Sequence, residues 1–77
     1  MSIKVRYFAS LKDVVGRDQD CLQLAAPMSA RQAWLLLNPE LVLPSNVLAA
    51  VNMDFVDLDA VVKDGDELAF FPPVTGG

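Results

Sequence analysis

Ser29-Ala30-Arg31-Gln32-Ala33-Trp34-Leu35-Leu36-Leu37-Asn38-Pro39 reads as the main helix of this chain, and the fold is built around it. Ser29 and Gln32 stand three residues apart, the spacing of a capping box that satisfies two helix N-terminal donors reciprocally. Ala30, Ala33, Trp34 and Leu37 recur at i, i+3, i+4 and i+7, which lines one face with apolar groups. Asn38-Pro39 ends the element, because a residue preceding proline disfavours the α region.

The segments around this helix are short and mostly strand-like. Upstream, Ile3, Val5 and Tyr7 alternate with Lys4, Arg6 and Phe8, the period-two pattern of an N-terminal strand. Ser10 is placed to cap a short helix through Val15, with Asp13 at its start and Gly16 to end it. Cys21-Leu22-Gln23-Leu24 reads as a second strand. Downstream, Pro39 to Asn46 is a loop, and Leu48-Ala49-Ala50-Val51 has the unbroken apolar pattern of a strand buried on both faces. Asn52-Met53-Asp54 turns the chain, and Phe55-Val56 leads out of the turn. Lys63-Asp64-Gly65-Asp66 carries the Asp-Gly turn signature, and Glu67 to Phe71 is the last strand. The order is β, short helix, β, long helix, β, β, β. It predicts an α+β domain over residues 1–71, with the sheet wrapped around the main helix and Trp34 in the core.

Composition limits the function. Seventy-seven residues make one domain with a small core. One cysteine and no histidine exclude an internal disulfide and the common zinc ligand sets. Yet 53% of the residues are hydrophobic, more than so short a chain readily buries, so part of that surface is expected to meet a partner. No segment approaches the ~20 apolar residues of a membrane span, and no signal peptide is evident, so a cytoplasmic protein is expected. Ten acidic residues against six basic ones argue against nucleic acid and favour docking on a basic protein surface.

Little in the chain suggests autonomous catalysis. Histidine, the usual general base near neutral pH, is absent. Cys21 has no cationic neighbour in sequence to activate it and reads as an inert packing residue. Asp54, Asp57, Asp59, Asp64 and Asp66 do not have calcium-loop spacing and read as a solvated face of turns. No bound cofactor or metal is expected.

The C-terminus is different. Phe70-Phe71-Pro72-Pro73-Val74-Thr75-Gly76-Gly77 runs a hydrophobic strand into a stiff diproline and then into a tip without side chains. The six residues of this tail, 72–77, can reach ~20 Å when extended. Two terminal glycines are compatible with a frayed end or a cloning remnant. They also suit a slender terminus that enters a narrow cleft and offers the Gly77 carboxylate to another protein's chemistry. Attack of that carboxylate on an ATP α-phosphate would give an acyl-adenylate, which a sulfur nucleophile could displace.

Ala50-Val51-Asn52, Lys63-Asp64-Gly65-Asp66-Glu67 and the run Ala69 to Gly77 closely resemble the small subunit of molybdopterin synthase. The resemblance is specific over about the last third of the chain and compatible in length and element order over the rest. It implies a ubiquitin-like β-grasp fold with a mixed sheet and a flexible Gly-Gly tail. It also implies a sulfur carrier of molybdenum cofactor biosynthesis, the non-catalytic subunit of a heterotetramer with large subunits at its centre. An E1-like adenylyltransferase would use ATP to activate Gly77, a sulfur donor protein would convert it to a thiocarboxylate, and the large subunit would receive the tail formed by Pro72, Pro73, Val74, Thr75 and Gly76. Sulfur would pass to a cyclic pyranopterin precursor, with two charged carriers per dithiolene.

Alternation in the last strand puts Phe71 on the face opposite Leu68 and Phe70, and puts Phe55 with Asp57. Phe71 and Phe55 are therefore the expected partner-binding residues, unless bulges shift the register and bury both. Other readings remain in view. The chain could be a sulfur carrier for thiamine, cysteine or tRNA thiolation, a ubiquitin-like protein modifier, or an interaction module with an inert tail.

Overall fold

Two antiparallel hairpins are joined by a central strand, which runs parallel to its neighbour in one and antiparallel to its neighbour in the other, in the five-stranded sheet of this protein. The computed structural model describes residues 2–44 and 46–73. In chain order the elements are β1 (Ser2–Tyr7), α1 (Ser10–Val15), β2 (Gln19–Gln23), β3 (Met28–Ser29), α2 (Ala30–Leu37), β4 (Leu48–Val51), β5 (Asp54–Val56), β6 (Val61–Val62) and β7 (Glu67–Phe71). The sheet runs β2-β1-β7-β4-β5, and β3 pairs with β6 in a separate ribbon. β1 lies parallel to β7, whereas the β1–β2, β4–β7 and β4–β5 pairs are antiparallel. This is the mixed sheet of a β-grasp fold, with α2 against its inner face.

The alternation of β1 does what its pattern predicts. Ile3, Val5 and Tyr7 are buried against α2, and Lys4 and Arg6 face outward. Trp34 is fully buried, 5.2 Å from Phe70 and 5.9 Å from Tyr7 in edge-on contacts, and its indole N–H donates to the Leu41 carbonyl at 3.2 Å. Such pairs add orientation preference to the apolar burial of each ring. Ala49 and Ala50 are both buried, so β4 is covered on each face along its middle.

The capping box of α2 is formed. The Gln32 N–H donates to Ser29 Oγ at 3.1 Å, and the Ser29 N–H donates to Gln32 Oε1 at 3.0 Å. The two-residue strands β3 and β6 were not legible, because alternation has no meaning over two residues. Chain pairing here also serves the helix start. The Ala30 and Arg31 N–H groups, which have no partner within the helix, donate to Ala60 and Leu58 carbonyls at 3.0 and 2.9 Å.

Ser10 does not cap α1, contrary to expectation. It is the first helical residue, and the cap position is Ala9, with φ 53°, ψ −132° and no side-chain hydrogen bond. The Phe8 N–H is still tied to β7 through the Phe70 carbonyl at 3.1 Å. The chain must therefore leave the sheet and enter the helix within one residue, and the corner falls on Ala9. Gly16 ends α1 as predicted, at φ 82°, with its N–H on the Lys12 carbonyl at 2.8 Å. Asn52 and Met53 form the β4–β5 turn, both at positive φ (51° and 75°), the backbone of a two-residue hairpin turn that follows sheet twist.

Candidate functional site

Residues paired across strands share a face of the sheet, so the register defines the outer surface row by row. One row is Gln19, Arg6, Ala69, Ala50 and Phe55, and the next places Phe71 beside Leu48. Ala50 and Ala69 are only 4% and 7% exposed although they belong to this outer face. Larger neighbours cover them. Phe55 is 71% exposed, and its ring centroid lies 5.8 Å from that of Phe71. Phe71 is half-buried, because it stacks nearly parallel on Phe8 at 4.8 Å. The result is a floor of two alanines walled by aromatic rings and by Arg6, whose guanidinium sits 5.4 Å from the Phe8 ring centre.

Phe55 and Phe71 thus come together on one outward face, as their alternation predicted. Phe8 completes the aromatic group and was missed. Its partner is 63 positions away in sequence, and only the parallel pairing of β1 with β7 brings Phe8 beside Phe71. β7 ends at Phe71, and Pro72 and Pro73 follow half-buried and outside any strand. Val74, Thr75, Gly76 and Gly77 lie outside the described residues.

Two sequence readings need correction. Cys21 does not pack; it is exposed on the outer side of β2, opposite Lys4, because the adjacent Leu22 takes the inward position. Asp66 is not part of a solvated face. It is 5% exposed and accepts from the Lys63 N–H at 2.9 Å and the Asn52 side-chain amide at 3.0 Å, with the Lys63 ammonium 3.7 Å away. The Lys63 backbone donor, helped by Asn52, holds the Asp66 carboxyl below its ordinary range despite burial. Asp66 thereby fastens the turn before β7 to the turn after β4. The other four aspartates are exposed as expected. Among the described residues, no group of three or more His, Cys, Asp or Glu side chains could hold a metal ion. No described helix is long and apolar enough to cross a membrane.

A second polar cluster lies behind the sheet. The Tyr7 hydroxyl donates to Asp20 at 3.0 Å and accepts from the Asn38 amide at 3.2 Å. Arg17 donates to Asp20 at 2.8 Å and to the Asn38 side-chain carbonyl at 2.6 Å. Burial, chiefly, pushes the Tyr7 hydroxyl above its ordinary pKa. The four side chains join β1, the α1–β2 loop, β2 and the end of α2. Their geometry is that of a structural brace, with every buried side-chain polar atom among the described residues satisfied.

The chain was compared with known proteins. The ThiS family model matches residues 5–77. The molybdopterin synthase sulfur carrier subunit of Escherichia coli (strain K12) is 41% identical, over 97% of this chain and 99% of that protein. The SAMP1 crystal structure from Haloferax volcanii superposes with a TM-score of 0.78 at 26% identity, covering all of both chains. A complex of subunits 1 and 2 of the molybdopterin-converting factor from Helicobacter pylori 26695 contains a chain of the same fold, with a TM-score of 0.64 at 24% identity over the full length of each.

Proposed function

The chain belongs to the ThiS family and stands there with the molybdopterin synthase sulfur carrier subunits; from that membership we propose that it carries sulfur for molybdenum cofactor biosynthesis. The near full-length identity to the Escherichia coli carrier is the observation on which this reading rests. The Gly77 carboxylate attacks the α-phosphate of ATP on an E1-like adenylyltransferase, releasing pyrophosphate and leaving an acyl-adenylate. Hydrosulfide delivered by a donor protein then attacks the carbonyl carbon, AMP departs, a proton is lost, and a thiocarboxylate remains. The large subunit of the synthase takes up the charged tail and passes its sulfur to the pterin precursor.

The chain contributes geometry to this scheme. β7 sits between β1 and β4 and fixes the base of the tail at Phe71. The aromatic face formed by Phe8, Phe55 and Phe71 is the docking surface for the large subunit, next to the point where the tail departs. Gly76 and Gly77 keep the tip narrow enough for the active sites of both enzymes.

The test is the intact mass of the protein after incubation with ATP, the adenylyltransferase and a sulfur source. The expected gain equals replacement of one oxygen by sulfur, and it disappears in a Gly77 deletion and in Gly76→Val. The likeness to SAMP1, described in a related structure as a small archaeal modifier protein, favours protein conjugation as the second reading. That reading predicts higher-mass conjugates in place of the sulfur gain. Equal loading of the Gly76→Val chain would overturn the steric role of that glycine.

A further inference from the structure

The outer face of the sheet does not share the acidic excess of the chain as a whole; Asp57, which alternation places with Phe55, lies just beyond the end of β5. The chain has ten acidic residues against six basic ones. Yet the charged strand residues that share a side with Phe71 are Lys4 and Arg6 against Glu67. Lys4 stands directly beside Glu67 in the parallel register, so these two offset each other. Arg6 stands between Gln19 and Ala69, neither of which has charge to offer. Among the described residues Arg6 makes no ion pair.

The position of Arg6 is specific. Its guanidinium lies 5.4 Å from the centre of the Phe8 ring, which stacks in turn on Phe71. A cation over an aromatic face is attracted by the ring quadrupole. The contact also restricts a long side chain before any partner arrives, so less conformational freedom is lost on binding. Arg6 therefore stands at the rim of the aromatic face, exposed and making no ion pair among the described residues, and a guanidinium's planar fork of donors matches a carboxylate. A partner with a basic rim would be repelled here, whatever the net charge of the whole chain suggests.

We propose that Arg6 is a specificity-determining residue of this face, and that the synthase large subunit meets it with a carboxylate beside the apolar surface that receives Phe55 and Phe71. This rests on the sulfur-carrier reading and adds to it the sign of the partner's rim, which is the reverse of the basic surface expected from composition alone.

The test is a titration of the full-length chain against the large subunit from the same host at several sodium chloride concentrations. Wild-type affinity is expected to fall as salt rises, and Arg6→Gln to weaken binding several-fold with a flatter salt dependence. Arg6→Glu is expected to weaken it about tenfold or more, largely through slower association. Circular dichroism should be unchanged in both, since the side chain is exposed. Binding of Arg6→Glu within twofold of wild type, or tighter, overturns the acidic rim. If that happens while Phe71→Arg still abolishes binding, the sulfur-carrier reading stands and only the role of Arg6 fails. A wild-type chain that does not bind the large subunit overturns both.

Discussion

Phe70 and Phe71 are adjacent in the same strand and meet opposite surroundings. Phe70 is fully buried between Trp34 and Tyr7, and Phe71 lies half-buried on the far side of the sheet against Phe8 and Phe55. The chemistry of the two side chains is the same, and the pleat alone assigns one to the core and the other to the surface. Aromatic residues at one position hold the fold together, and at the next they are available to a partner.

The strongest test of this contrast is Phe70→Ala. A domain of this length is stabilised by roughly 4–12 kcal/mol, and truncating a core phenylalanine costs about 3–5 kcal/mol. Urea denaturation should show most of the stability gone. Phe71→Arg should move the urea midpoint far less while eliminating binding to the large subunit. Global unfolding of Phe71→Arg by circular dichroism would erase the distinction between the two faces.

Smaller effects are expected at the other end of β7. Asp66→Ala leaves the Lys63 N–H and the Asn52 amide without their acceptor and should cost about 1–3 kcal/mol. The pH dependence has a definite sign. The folded pKa of Asp66 lies below the unfolded value, so its stabilisation is complete above the ordinary carboxylate range and is lost as pH falls through the folded pKa. Acid titration of the wild type should show this loss, and the Asp66→Ala curve should be flatter in the same window. The smallest effect is a gain. Met53 is 91% exposed at φ 75°, a conformation that glycine adopts without steric cost. Met53→Gly should raise stability by about 1 kcal/mol, with binding through the aromatic face unaffected. A lower thermal midpoint would refute this account of the turn.

The sequence disclosed features that depend on near neighbours. The alternation of β1, the Ser29–Gln32 box, the stop at Asn38-Pro39 and the role of Gly16 are all written within a few residues. Features that depend on distant pairing were not visible. Phe8 joins the surface site only through β7, and the Asn52 amide reaches Asp66 across 14 positions of sequence. The Tyr7, Arg17, Asp20 and Asn38 brace likewise draws on three separate elements. The cap of α1 was misplaced because capping preference favours Ser10, whereas the hydrogen bond from Phe8 to β7 determines where the chain can turn. The face bearing Phe55 and Phe71 was legible because its period is two, and strand alternation survives even where the neighbouring strand is unknown.

The parallel pairing of β1 with β7 has a consequence during protein synthesis. Lys4 meets Glu67 across 63 positions, and β7 is the middle strand of the sheet, with β1 on one side and β4 on the other. A growing chain on the ribosome can form the β1–β2 hairpin early, but it cannot close its core until β7 has emerged. Pairing over such a separation is intrinsically slow, because loop closure precedes any gain from contact. The strand that completes the domain is also the strand that leads into the C-terminal tail. On the proposed reading, charging of the tail is thereby ordered after folding, because Phe8 and Phe71 meet only once β7 pairs with β1.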